Sequence, residues 1–152
     1  MRVYLIRHAH ALSIAPGGDP HRPLSPIGVA RAETLAAAFA SLAAPMDIRP
    51  ARLICSAALR AQQTAAPIAA ALGLRIETED RVGLSGSADH ITELIADLFL
   101  ASTPGAILIG HNPDLSAVSG RFGGPSLAPG DVSIASIARE ADRLRGECVG
   151  RY

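Results

Sequence analysis

The 152 residues carry 14 Lys plus Arg against 14 Asp plus Glu, a formal net charge of zero, which leaves no electrostatic footprint for nucleic acid or for an anionic membrane surface. Hydrophobic residues make up 49% but aromatics only 3%, so Leu, Ile, Val and Ala must build the core, which favours helices packed closely on a sheet. Two cysteines are too few for a disulfide framework, and no apolar run reaches a signal-peptide core or the ~18 residues of a spanning helix; a reduced, cytoplasmic, single domain over residues 1–152 is expected, of a length that buries roughly 70% of its unfolded surface.

Val3 to Ile6 is β-branched and aromatic, bounded by charge, and reads as a strand buried on both faces. The Pro/Gly-rich stretch Ala15 to Pro23 reads as a loop. Ser25 before Pro26 is a helix start, because Ser caps free amides and Pro at the first helical position loses nothing; the Ala-rich helix continues to about Leu42, with Pro45 and Pro50 marking its exit. Leu53 to Cys55 is a second buried strand, with the thiol of Cys55 inside. Ala57 to Leu72 is a second helix, ended by Gly73 and kinked or broken at Pro67. A third strand is expected over Leu74 to Thr78. Ile91, Leu94, Ile95, Leu98 and Phe99 fall on one face of a helix spanning Ala88 to Leu100. Ala106 to Ile109 is a further buried strand, Pro113 to Ser119 a short helix, and Gly123 to Gly130 a loop. Val132 to Ile137 and Cys148 to Tyr152 read as late strands of the same sheet.

Strands alternating with helices predict an α/β fold, a three-layer α/β/α sandwich with a mostly parallel central sheet, whose ligands bind beyond the carboxyl ends of the strands. Three apolar strands run directly into polar, anion-suited residues: Ile6 into Arg7-His8, Cys55 into Ser56 with Arg60 one turn on, and Ile109 into Gly110-His111-Asn112. Two arginines and two histidines gathered at one edge would make a cationic pocket suited to a phosphoryl group. A neutral imidazole has a lone pair for nucleophilic attack, and neighbouring arginines keep it neutral. No Walker lysine motif or carboxylate pair competes. A metal site using His8, His10 and His111 is the alternative, which the flanking arginines oppose by repelling a cation.

Leu5-Ile6-Arg7-His8-Ala9, Arg22-Pro23-Leu24-Ser25 with Gly28, Ser56-x-x-x-Arg60-x-x-x-Thr64 and Gly110-His111-Asn112-Pro113 together resemble the histidine phosphatase superfamily, branch 1, with its phosphoglycerate mutase-like fold. The compact length resembles the SixA-type phosphohistidine phosphatases more than the larger mutases. The resemblance implies that His8 is phosphorylated, that Arg7 and Arg60 bind phosphoryl oxygens, and that His111 stabilises the transferring group, without metal or other cofactor. His10, His21 and Arg22 are further candidates at the substrate mouth. Mutase-like members carry Gly and Asn where this chain has Ala9 and Ile14, and an acidic donor where Gly83 to Ala88 has no carboxylate before Asp89. Asp89 is the one acid candidate retained; Asp19 and Asp114 are expected to be loop or cap residues, and Ser25 and Ser56 caps. A leaving imidazole needs less help from an acid than an alkoxide does. The expected substrate is therefore phosphohistidine on a protein, with a small phosphorylated metabolite as the alternative, and a non-catalytic phosphate-binding module as the alternative of another class.

Overall fold

Among the described residues six strands form one sheet in the order β3-β2-β4-β1-β5-β6. The chain is a computed structural model that describes residues 1–41, 48–141 and 143–152. Its strands are β1 (Arg2–Arg7), β2 (Arg52–Cys55), β3 (Ile76–Thr78), β4 (Gly105–Gly110), β5 (Val132–Glu140) and β6 (Arg143–Arg151). The helices are α1 (Pro26–Ser41), α2 (Leu59–Leu72), α3 (Ala88–Leu100) and α4 (Asp114–Arg121), with single 3-10 turns at Asp19–His21 and Asp80–Val82. β1 to β4 are mutually parallel, whereas β5 runs antiparallel to β1 and β6 antiparallel to β5.

Alternation along β1 builds both faces of the core. Tyr4 and Ile6 join Leu53, Ile107 and Ile109 beneath α1 and α2, which contribute Leu35, Phe39, Ile68 and Leu72. Val3 and Leu5 join Ile54 and Leu108 on the opposite face, covered by Ile91, Leu94, Ile95 and Leu98 of α3 and by Leu115 and Val118 of α4. Each such side chain contributes about 1.5–3 kcal/mol by leaving water. Alanines at positions 61, 65 and 69 of α2 are buried and short, so that helix lies close to the sheet. The result is the expected three-layer arrangement.

Several boundaries differ from expectation. Pro67 stands inside α2 without ending it, because Ala61 and Ala65 before it and Ile68 and Leu72 after it are all anchored on the sheet. β3 starts at Ile76 rather than Leu74, since the amide of Leu74 caps α2 by donating to Ala69 O at 2.9 Å around the left-handed Gly73. β5 continues to Glu140 and β6 begins at Arg143, giving a hairpin longer than the apolar pattern indicates. Charged residues fill that outer strand because it is the sheet edge, exposed along most of its length, so burial imposes little pattern. Ser25 caps α1 as expected, its Oγ accepting from Gly28 N at 3.2 Å. Leu42 and Pro45, assigned to the end and exit of that helix, lie outside the described residues.

What positions the site is the register. β2, β4 and β1 are adjacent and parallel, with Cys55 opposite Ile109 and Arg7 opposite Gly110. Their carboxyl ends therefore share one edge, and the backbone ladder continues a step past it: His8 N donates to Gly110 O and Ser56 N to Ile109 O, both at 3.0 Å.

Candidate active site

His8 leaves the end of β1 with its ring fixed from one side. Its Nδ1 donates to Ala9 O at 2.8 Å, which places the proton there and leaves the lone pair on Nε2. That nitrogen accepts from Arg60 Nε at 3.2 Å. Ala9 itself is fully buried, and its amide donates to Thr64 Oγ1 at 3.0 Å, while that hydroxyl donates to Arg60 O at 2.7 Å. Arg60 and Thr64 are four apart on α2 and present one face, so a single helix holds both the guanidinium and the backbone that follows His8. Ala9 has no positive φ, so its departure from the Gly of mutase-like members introduces no backbone strain.

His111 follows β4 directly, its ring centroid 5.1 Å from that of His8. Arg60 Nη2 approaches its Nδ1 at 3.5 Å, which assigns the ring proton to Nε2, the atom 2.8 Å from Ser56 Oγ. Ser56 is not the expected cap of α2, whose N-cap is Ala58 with no side-chain cap bond; its Oγ accepts from Ala58 N at 3.2 Å in the turn before the helix and braces His111. Gly110, the last residue of β4, has no room for a side chain, since a Cβ there would stand 2.7 Å from Val82 O.

Burial pushes the pKa of His8 from 6.5 down to about 4; the bond to Ala9 opposes this, and the charges of Arg60, Arg7 and Arg22 add to it. His111 is also lowered to about 4, again first by burial, then by the neighbouring His8 and Arg60. Both rings are neutral near pH 7. Burial pushes the Cys55 thiol up to about 12, so it is not a competing nucleophile.

Arg7 donates through Nη1 to Leu127 O at 3.0 Å, and the same carbonyl accepts from Asn112 Nδ2 at 2.8 Å. Its Nε is buried and has no hydrogen-bond partner among the described residues. A buried donor left unmatched costs about 1–3 kcal/mol, and an anionic oxygen is the acceptor that would answer it.

The remaining candidates are placed elsewhere or in other roles. His10 is exposed, with Nδ1 2.7 Å from Ser25 Oγ, tying the loop after β1 to the start of α1. β1 ends at Arg7, so His8 and His10, two residues apart, do not lie on one face of a strand as they would if the strand continued. Among the described residues no group of three His, Cys, Asp or Glu side chains converges as a metal site. His21 is exposed and its ring lies against Gly17. Arg22 is spent on structure, donating to Leu12 O at 2.6 Å and Asp19 Oδ1 at 2.7 Å. Asp89, the acid candidate, is 79% exposed and paired with Arg121 at 2.6 Å on the α3 and α4 surface. Asp114 accepts from Ala88 N at 3.0 Å, at the start of α3.

Sequence reasoning missed Asp19. Arg60 is only 5% exposed in its side chain, and Asp19 holds it twice: Nη1 donates to the main-chain oxygen at 2.7 Å and Nη2 to Oδ2 at 2.9 Å. No local sequence pattern marks it; the need for a partner appears only once Arg60 is seen to be buried, because a charge in the interior requires one.

The family model of the histidine phosphatase superfamily (branch 1) matches residues 3–83, more than half of the chain. Among solved structures, the protein histidine phosphatase SixA in complex with tungstate superposes with a TM-score of 0.82 at 18% identity, covering 99% of this chain and 96% of that one. A putative phosphohistidine phosphatase SixA from Agrobacterium tumefaciens gives a TM-score of 0.75 at 28% identity, over 99% of this chain and 97% of that one. A mycobacterial glucosyl-3-phosphoglycerate phosphatase gives 0.74 at 15% identity, over 97% and 96%. A search of curated proteins returns no significant match. No helix among the described residues is long and apolar enough to cross a membrane. The chain belongs to the histidine phosphatase superfamily, branch 1.

Proposed function

We propose that this protein is a phosphohistidine phosphatase that works through a phosphoryl group carried on His8 Nε2. The observation that carries the reading is the ring of His8: its proton is committed to Ala9 O, and its free nitrogen faces the guanidinium of Arg60 beside His111. In the first step Nε2 attacks phosphorus in line, a P–N bond forms, and the bond to the substrate's imidazole nitrogen breaks, the electron pair staying on that nitrogen and the ring leaving as neutral imidazole because its other nitrogen carries a proton. Arg60 Nε–H moves from Nε2 to a phosphoryl oxygen, and Arg7 Nε finds its acceptor there. The Nδ1–H bond to Ala9 O stabilises the positive charge that the ring gains. A dianionic phosphoryl group also raises the pKa of His111, enabling it to donate to an oxygen as charge develops. Water then attacks phosphorus, the P–Nε2 bond breaks, and inorganic phosphate departs.

The preference for a phosphoramidate rests on the absence, among the described residues around His8, of a protonated carboxyl. Asp19, the carboxylate in contact with Arg60, has its pKa lowered by hydrogen bonds from Arg22 and then Arg60, so it is ionised and has no proton to give. Hydrolysis of phosphohistidine is expected to exceed that of an alkyl phosphomonoester by at least ~10²-fold, the lower range of what general acid catalysis contributes. Rapid mixing with a phosphorylated histidine-containing protein followed by alkaline quench should leave acid-labile phosphate on the enzyme, and His8→Ala should abolish label and turnover. Label on Ser56 or Cys55 would overturn the nucleophile. Equal kcat/KM for alkyl esters would favour a metabolite phosphatase, the reading supported by the shared fold of the glucosyl-3-phosphoglycerate enzyme.

A further inference from the structure

We infer that Asp19 is the positioning residue of Arg60, gripping one edge of the guanidinium so that the other is presented to the two histidines. The inference rests on the proposed roles of His8 and Arg60. A guanidinium has two forks of parallel donors: an end fork of Nη1 and Nη2, and a side fork of Nε and Nη2. The end fork of Arg60 meets Asp19, Nη1 on the carbonyl at 2.7 Å and Nη2 on the carboxylate at 2.9 Å. Its side fork meets the histidines, Nε on His8 Nε2 at 3.2 Å and Nη2 toward His111 Nδ1 at 3.5 Å. A phosphoryl group between the rings would therefore be met by the side fork while the end fork stays held. Asp19 does not occupy the side fork, because it holds the adjacent end fork.

The loop is built to hold Asp19 in that place. Gly17 and Gly18 both have positive φ, 92° and 87°, and turn the chain so that the carbonyl and carboxylate of Asp19 reach the same guanidinium. Arg22 Nη1 binds the other carboxylate oxygen, Oδ1, at 2.7 Å, and Arg22 Nε is itself fixed on Leu12 O at 2.6 Å. Leu12 N donates in turn to Pro23 O at 2.9 Å, closing the loop on itself. Without the grip, a long arginine side chain would sample other rotamers, and a displacement of about 1 Å at a reacting group costs on the order of 10²-fold in rate.

The test is a double-mutant cycle. Asp19→Ala, Asp19→Asn and Arg60→Ala, alone and combined, are assayed in single turnover on an activated aryl phosphate and on a phosphoramidate, with tungstate binding measured alongside. Asp19→Ala should lower kcat by roughly 10- to 10²-fold with little change in KM. Asp19→Asn, which keeps the main-chain carbonyl and one side-chain oxygen for Arg60 while losing the contact with Arg22, should recover a large part of that loss. In the Arg60→Ala background, Asp19→Ala should have an effect below about twofold, because the residue acts only through Arg60. Arg22→Ala is a second route to the same end: a smaller loss, again absent without Arg60. Retained kcat with lower KM and tighter tungstate would identify Asp19 as a blocking group. An undiminished loss in the Arg60→Ala background would identify an independent role, and failure of Asp19→Asn to recover would point to proton transfer; each outcome overturns the inference. Absence of phosphate on His8 in the wild type would instead overturn the reading of the site. Wild-type labelling with an unimpaired Asp19→Ala overturns only the assignment of Asp19.

Discussion

At the scale of single residues, two neutral histidines lie side by side in a pocket that also holds arginines. Placing imidazolium next to guanidinium away from water is opposed by desolvation and by repulsion, and both lower the histidine pKa values. Titration followed by NMR should give midpoints near 4 for His8 and His111, against the ordinary 6.5, and tungstate should move the His111 midpoint upward. A free-enzyme midpoint at or above 6.5 would mean that the lone pair on Nε2 is mostly protonated at neutral pH. Ser56 offers a second check. Ser56→Ala removes the hydroxyl 2.8 Å from His111 Nε2, and the loss of one neutral hydrogen bond, about 0.5–1.5 kcal/mol, should lower kcat roughly 2- to 10-fold.

At the scale of elements, α2 joins the core to the chemistry. Its inward face carries Ala61, Ala65, Ile68 and Leu72 onto the sheet, while its first turns carry Arg60 and Thr64 to the end of β1. Thr64→Val keeps the shape but leaves the buried amide of Ala9 without an acceptor. It should destabilise by about 1–3 kcal/mol in denaturant unfolding, with a fall in kcat because His8 is the preceding residue. α1 is equally constrained where it meets the loop after β1. A Cβ at Gly28 would stand 2.0 Å from His10 O, so Gly28→Ala should lower stability by about 1–3 kcal/mol, the usual cost of overpacking, and should weaken activity by displacing that loop.

At the scale of the whole molecule, the site imposes a pH dependence on folding. In the unfolded chain, histidines take up protons as the pH falls through 6.5, whereas His8 and His111 in the folded protein resist until about 4. The unfolded state binds more protons in that window, so the contribution is complete above about pH 6.5 and is lost as the pH falls toward 4. Thermal unfolding should show Tm declining across this range, with a shallower slope in His8→Gln. Below it, the lowered carboxylates Asp19, Glu77 and Glu79 take over, Asp19 weakening its hold on Arg22 and Arg60 on protonation, Glu77 on Arg52 and Glu79 on Arg81.

The sequence by itself determined the layered fold, because buried strands such as Ala106 to Ile109 and amphipathic helices such as α3 write their environment into consecutive residues. It also pointed to Arg7, His8, Arg60 and His111 as one set, since each stands at or one turn beyond the end of an apolar strand, and parallel strands that are neighbours in a sheet share an edge. Edge strand β6 was only half legible, as exposure removes the alternation that marks a strand. Only the tertiary structure decided which of the loop polar residues belong to the cluster. Asp19 and Asp89 are equally unremarkable in sequence, yet one holds a buried guanidinium and the other a surface one. That difference comes from where the Gly17-Gly18 turn returns the chain over the sheet edge, a contact between residues 41 positions apart that local pattern does not encode.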